Sequence, residues 1–456
     1  MDEKEAIKLL LESGDLPTKE KIIDLINGNC VVGIKPDKSK LREANIQVVQ
    51  TPEYQPRKIE IRDFAMHIKN RYSFMKGLLI NRAEVENPMS IDKLKLTTNK
   101  TTIIAIVADI QKLATGTLKV TLEDLTGKVT GIISAKNEEL IKSAGFLTLD
   151  EVAAFKGSAS KDLFFVTEII WPDIPQRTLQ NAPDEVYALF SGDFHIGSSL
   201  FLKDKMENMI NWLNGRSGDE RQKEIAAKTK YIIVAGDVVD GVGIYPGQEK
   251  ELTIKDIYDQ HKAAAEYLAQ IPQDKKIIVI PGNHDVVRIC EPQPPIYKDI
   301  AEDLYKLPNV ICLGNPSNII LHQQDCFKGF NVLLYHGYSF DYFADQVEAL
   351  RLQGAYDHAD KILAFLLKKR HLAPTYGSTL HLPMMEDTHI IKQVPDVIAS
   401  GHIHHARIGN YKQTMFMVTA GFQAKTAFQE KVGHHPEPGK MPLLNLNTRK
   451  ATMLNF

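Results

Sequence analysis

The sequence predicts an α/β protein in three parts: an N-terminal helical module, a small β-barrel and a C-terminal layered α/β domain. Three observations carry this reading. The chain has 456 residues, 43% of them hydrophobic, enough for two or three domains with at least one large core. From residue 101 to 171 the patterning turns from helical to β-rich, in short runs parted by turn residues. Beyond residue 185, Val/Ile-rich runs alternate with helical stretches, as strands buried on both faces do when helices cover them.

Taken in order, residues 5–27 (EAIKLLLESGDLPTKEKIIDLIN) contain two helical patterns broken at Gly14 and Pro17, with Thr18 as N-cap of the second. This module, 1–35, is too short to hold a core alone. Residues 36–58, with three prolines and many charges, read as a linker that buries too little apolar surface to order itself. In the next unit, 59–175, Phe64, Ile68, Tyr72 and Met75 mark one apolar helix face, expected to pack on the following domain.

The runs TTIIAIVADI, TLKVTLEDL and GKVTGIIS then read as strands, KNEELIKSA as a helix, and VAAFKGSA and LFFVTEIIW as two more strands. Three strands, a helix and two strands is the order of an OB-fold, used on single-stranded nucleic acid or as a docking surface. No row of aromatics is evident for base stacking. Of Phe164 and Phe165, at least one must face the core, so docking is the favoured role. The Pro-rich segment WPDIPQRTLQNAPDE marks the next boundary, and 185–456 forms the last domain.

Bulk properties exclude several classes. With 55 basic against 57 acidic residues the net charge is −2, too little basicity to grip duplex nucleic acid unaided. The four cysteines lack C-x-x-C spacing, which argues against a zinc ribbon or a secreted disulfide framework and for reduced thiols in the cytoplasm. The N-terminus is acidic and amphipathic, and there is no apolar run of membrane-spanning length, so neither export nor a membrane span is expected.

The chemistry is carried by five runs: VYALFSGDFH, YIIVAGDVVD, KIIVIPGNHD, NVLLYHG and DVIASGHIHH. Each predicted strand ends in side chains of metal-binding type, at the carboxyl edge where ligands collect in α/β folds. The set is Asp193, His195, Asp237, Asp240, Asn283, His284, Asp285, His336, His402 and His404. Five such motifs, each at a strand end, are poorly explained as core histidines or solvated carboxylates. Carboxylate, imidazole and amide donors without thiolate suit two divalent ions, Mn²⁺ first, with Fe²⁺, Zn²⁺ or Mg²⁺ as alternatives. A pair bridged by one carboxylate, ~3.5 to 4 Å apart, clamps attacking and leaving oxygens in phosphoryl transfer and lowers the pKa of bound water towards ~7.

The run D-x-H, G-D-x-x-D, G-N-H-D, H, G-H-x-H resembles the calcineurin-like metallophosphoesterase superfamily over about residues 186–425. The resemblance implies that Asp193, His195, Asp237 and His404 hold one metal, and that Asp237, Asn283, His336 and His402 hold the other, with Asp237 bridging. It further implies His284 as general acid and Asp240 as its orienting partner. Protein phosphatases of this superfamily carry an arginine after G-D-x-x-D, where this chain has Gly241 and Val242. Repair nucleases begin their first motif near the N-terminus, which here waits until residue 193.

The order OB-fold then phosphoesterase, with PGNHDVVRICEPQP, LLYHGYSFD, LLKKRHLAPTYG, VPDVIASGHIHHARIGNY and GFQAKTAFQ, is similar to the small subunits of archaeal family D DNA polymerases. That likeness implies a proofreading 3'→5' exodeoxyribonuclease acting on single-stranded or mismatched DNA 3' ends. It also implies a heterodimer with a large catalytic polymerase subunit, and contacts with further replication factors. The competing readings are a scaffold subunit and a repair-type metallo-nuclease. No polymerase palm motif is recognisable, so synthesis would come from the partner.

Other residues near the motifs are assigned lesser roles. His405, next to His404 on what reads as an extended segment, should point away and be exposed or merely supporting. Asp285 suits a turn or a supporting hydrogen bond. Lys368, Lys369, Arg370 and His371 form a basic run, expected to be solvated unless it meets a DNA backbone. Arg288 and Arg407, close after metal motifs, are candidates for gripping a substrate phosphate.

Overall fold

The computed structural model describes residues 2–12, 19, 22–23, 43–52, 58–96, 99–324 and 327–456. Helix α1 (Glu3–Glu12) matches the first N-terminal helical pattern. The break at Gly14 and Pro17, the Thr18 cap, most of the second helical pattern and much of the predicted linker lie outside the described residues.

Part of that linker is a strand. Residues Ile46–Gln50 (β1) pair antiparallel with a strand of the C-terminal domain, Ile46 opposite Leu321. The connection is fastened by Thr51, whose hydroxyl accepts from Gly314 N (2.9 Å) and Ser317 Oγ (2.9 Å). Averaged with its charged surroundings, IQVVQ loses its β signal, and the ladder that orders it belongs to a strand far along the chain.

Helix α2 (Ile61–Ile80) starts with a reciprocal capping box between Glu60 and Asp63. Its buried side is Asp63, His67, Arg71, Tyr72, Met75 and Leu79, whereas Ile68, placed by sequence on the packed face, is 41% exposed. The helix is rotated because its polar groups find strong partners in the last domain. Arg71 Nε donates to Asp387 Oδ2 (2.7 Å) and Nη1 to the Pro374 carbonyl (2.7 Å), and His67 Nδ1 donates to the Met384 carbonyl (3.1 Å). Asp387 also accepts from His371 Nε2 (2.9 Å), and although burial opposes it, Arg71 and His371 hold its pKa well below the usual carboxylate range. Removing one member strands the others' charge in a dry interface. Arg71→Ala should therefore cost about 3 to 5 kcal/mol, read as a lower urea midpoint, while Ile68→Ala should leave the midpoint in place.

The barrel follows. Strand β2 (Pro88–Met89) pairs with β3 (Lys100–Lys112), which continues through β4 (Leu118–Glu123) and β5 (Lys128–Ile133). Helix α3 (Glu138–Ala144), capped by the Asn137 side chain on Leu140 N, leads to β6 (Val152–Ser160) and β7 (Leu163–Ile170). The order β3-β4-β5-β7-β6, closed by β6 on β3, is the OB-type barrel. Phe155 and Phe164 fill its interior, and Phe165 points out, 43% exposed.

The C-terminal domain packs two six-stranded sheets face to face. In the first, order β11-β10-β9-β8-β17-β18, the strands are β8 (Tyr187–Ser191), β9 (Thr229–Ala235), β10 (Lys276–Ile280), β11 (Val310–Cys312), β17 (Lys440–Asn445) and β18 (Ala451–Asn455). The second, β1-β12-β13-β14-β16-β15, contains β12 (Ser317–Leu321), β13 (Phe330–Leu334), β14 (Val397–Ser400), β15 (Arg407–Tyr411) and β16 (Thr414–Val418). Tyr231 and Ile233 face the opposite sheet, whereas Ile232 and Val234 face helices α4 (Lys203–Leu213) and α5 (Ile257–Leu268). Both faces of these strands are buried, which is why they read as unbroken apolar runs. Helix α6 (Ala359–Lys369) covers the second sheet through Ile362 and Leu366.

The basic run at the end of α6 is neither solvated nor free to meet DNA. Lys368 lies over the Trp171 ring (4.2 Å), and buried Lys369 pairs with Glu151, which accepts from Trp171 Nε1 (3.1 Å). Arg370 donates to the Ile391 and Lys392 carbonyls, and His371 is bonded to Asp387. Charge-run reasoning fails here because the run sits where two domains meet. No helix among the described residues is long and apolar enough to cross a membrane. Cys290 and Cys312 are free thiols, and Cys30 and Cys326 lie outside the described residues.

Candidate metal centre

Strands β8, β9, β10, β13 and β14 end together, and the residues following them converge. Two glycines of the motifs are there for space. A Cβ on Gly282 would collide with the Asp237 carboxylate, and one on Gly401 with that of Asp193. Asp193, His195, Asp237, His402 and His404 all have left-handed backbone, with φ between 48° and 73°. Such conformations cost about 1 to 3 kcal/mol each in non-glycine residues and concentrate at functional sites. The GHIHH segment is therefore not extended: alternate positive φ values turn both His402 and His404 towards the centre. His405 is nonetheless buried, its Nδ1 donating to the His435 carbonyl (2.6 Å) and its Nε2 3.3 Å from Glu437.

Two donor groups meet at Asp237. In the first, His195 Nε2 and His404 Nε2 approach to 3.0 Å, with Asp193 Oδ1 3.7 Å from the latter and Asp237 Oδ2 3.8 Å from the former. In the second, Asn283 Oδ1 lies 3.0 Å from both His336 Nε2 and His402 Nδ1, and Asp237 Oδ2 lies 3.3 Å from His336 Nε2. One carboxylate oxygen thus belongs to both groups. Each imidazole has its other nitrogen held: His195 Nδ1 donates to Asp240 Oδ1 (3.1 Å), His336 Nδ1 to the Ala235 carbonyl (2.8 Å), and His402 Nε2 to Asp341 Oδ2 (2.9 Å). His404 Nδ1 meets the Gln429 amide at 3.1 Å. Fixing the far nitrogen is how proteins aim imidazoles at a metal.

The electrostatics favour a cation here. Burial, with Asp237 beside it, raises the pKa of Asp193. Burial alone would depress His336, but the carboxylates of Asp237 and Asp193 outweigh it and push this imidazole up to about 10. Oxygen and nitrogen donors in a field that draws positive charge fit divalent ions.

Two further groups of donors lie close together, His195 with Asp240 and His284 beside the first group, and His67 with His381 and Asp387 where α2 meets the last domain. There the Arg71 guanidinium, 2.7 Å from Asp387 and 3.3 Å from His67 Nε2, already takes the place of a cation.

The sequence model of the B-subunit family of DNA polymerases alpha and epsilon matches residues 189–408, spanning these strand ends. The DNA polymerase II small subunit of Methanothermobacter thermautotrophicus is 38% identical over 392 residues, which cover 86% of this chain and 79% of that protein. This chain belongs to the family of archaeal DNA polymerase II small subunits. The Thermoplasma acidophilum protein of the same name is 35% identical over 407 residues, 87% of this chain and 78% of that protein.

Within this family member, some residues sit differently from the sequence-based expectation. The Asp240 carboxylate is directed at His195 and also accepts from Gln248 and Gln423 (3.0 Å each). It is the Asp240 main-chain carbonyl that accepts the hydrogen bond from His284 Nδ1 (2.8 Å). Asp285, as expected, holds the turn by accepting from Gly282, Val238 and Val239 main-chain N–H groups, and burial, with Asp237 nearby, raises its pKa to about 6. Arg288 donates to the Pro292 carbonyl and Arg407 lies 3.5 Å from Glu437, and neither is among the residues lining the cleft.

That cleft, about 550 Å³, is lined by His195, Asp237, Asn283, His284, His402 and His404 together with residues to which the sequence assigned no role, among them Tyr245, Asp341, Phe428 and Gln429. Asp341 lies five residues beyond His336, a spacing that no metal motif prescribes. Its contact with His402 predicts that Asp341→Ala weakens divalent-metal affinity by about 10- to 100-fold, measurable by titration calorimetry with Mn²⁺.

Proposed function

We propose that this subunit is a two-metal 3'→5' exodeoxyribonuclease that proofreads DNA strands and assembles with the large catalytic subunit of its polymerase. The observation that carries it is the shared Asp237 oxygen between two complete donor groups at one cluster of strand ends. Asp193, His195, Asp237 and His404 would hold one divalent ion and Asp237, Asn283, His336 and His402 the other. Bound there, the pair supplies charge neutralisation for a phosphodiester and a nucleophile at neutral pH.

The chain's own residues complete the reaction. His284, with Nδ1 donating to the Asp240 carbonyl, keeps Nε2 as the nitrogen able to pass a proton to the departing 3' oxygen. Burial and the neighbouring His195 hold its pKa below the ordinary value, while the Asp237 charge pulls it upward. Asp240 positions His195 through its carboxylate and His284 through its carbonyl.

The name "small subunit" carried by the relatives supports a second, compatible role in assembly, for which the OB-type barrel offers a docking surface. The protein would act in the cytoplasm, on single-stranded or mismatched 3' ends, alongside other replication factors. Incubating the full chain with Mn²⁺ and 3'-labelled single strands should release mononucleotides, and EDTA should stop the release. Failure to release them, alone or with the large subunit, would leave only the scaffold role.

A further inference from the structure

The cleft poses a recognition problem. Among the described residues no lysine or arginine lines it, whereas Asp237, Asp240, Glu251 and Asp341 do. A DNA strand reaching the centre finds no cationic side chain along these walls to hold its backbone, so affinity beyond the reacting phosphate must come from its bases.

Aromatic side chains stand in that position. Phe428 lines the cleft and is 69% exposed, an arrangement that wastes apolar surface unless something covers it. The backbone that carries it is anchored at the site. Its helix, Ala427–Val432, opens with a reciprocal capping box between Thr426 and Gln429, and the Gln429 amide touches His404 Nδ1 at 3.1 Å. Phe428 is thus one residue away from a side chain that touches the metal centre. Tyr245, 38% exposed, lines the same cleft with its hydroxyl donating to Glu251 (2.8 Å).

We propose that Phe428, assisted by Tyr245, is the stacking platform for the terminal nucleobase of an unpaired DNA strand, and so selects frayed over paired ends. The inference rests on the phosphodiesterase reading of the centre. A base still in a duplex has both faces occupied by its neighbours, whereas a terminal base freed from pairing can leave the stack and lie on an aromatic ring.

The test uses the full chain with Mn²⁺ and an oligonucleotide ending in 2-aminopurine behind a hydrolysis-resistant phosphorothioate. Wild type should quench the fluorophore, Phe428→Ala should lose the quench, and Phe428→Trp should keep it. With an ordinary single strand, KM for Phe428→Ala should rise about tenfold with kcat little changed. That difference should vanish on a strand whose last nucleotide is abasic. Unchanged quenching and KM in Phe428→Ala, or an equal defect on the abasic strand, would overturn the stacking role. Quenching by a wild type that hydrolyses no strand would sustain the platform while refuting the nuclease reading.

Discussion

Asp237→Asn is expected to abolish hydrolysis and to empty both metal positions at once. Its Oδ2 is the one atom common to the two donor groups, 3.8 Å from His195 Nε2 and 3.3 Å from His336 Nε2, while Oδ1 accepts from His284 N (2.8 Å). An asparagine of the same shape keeps the packing but removes the negative charge between the two proposed cation positions and can present an N–H₂ group there. Bridged cations contribute several kcal/mol to stabilising a phosphoryl transition state, so the rate should fall by at least about 10³-fold. Elemental analysis of the purified variant and release of nucleotides from 3'-labelled DNA check the two halves. A variant with wild-type metal content and rate would show that Asp237 is not the bridge.

His284→Ala should have a comparably large effect on turnover while sparing the metals. The His284 imidazole is anchored by the Asp240 carbonyl and stands edge-on to His195, ring centroids 4.7 Å apart, without belonging to either donor group at Asp237. Loss of a positioned proton donor lowers turnover by about 10² to 10⁴. A nitrophenyl phosphodiester releases an anion that needs no proton, so the same variant should be much less impaired on it. If metal is lost, or both substrates suffer equally, His284 is a ligand or a structural residue.

These two predictions were within reach of the sequence because the residues they concern follow strands that announce themselves. A run such as YIIVAGDVVD is apolar for as long as the strand lies between sheet and helices, and its carboxylates Asp237 and Asp240 follow directly after the strand ends. The barrel was legible for a similar reason, since its strands are joined by short turns and a capped helix. Residues without a local pattern were not. Asp341 and Gln429 lie in the runs LLYHGYSFD and GFQAKTAFQ, but only the approach of His402 and His404 gives them a role. The backbone of GHIHH was misread as extended because its left-handed residues are histidines, which do not signal positive φ as glycine does.

By itself, then, the sequence determined the kinds of layer, the succession of strands and helix in the barrel and the ligand-type residues at the strand ends, because each is written in neighbouring residues as a period of burial or a turn. Only the tertiary structure decided that IQVVQ is an edge strand and that α2 buries His67 and Arg71 in place of Ile68. It also decided that the basic run at 368–371 is spent inside a domain interface, and that the Asp240 carboxylate serves His195. In each case the deciding partner lies far along the chain, and the cost of leaving a buried charge or backbone group without that partner exceeds the few tenths of a kcal/mol by which local propensity prefers one arrangement to another.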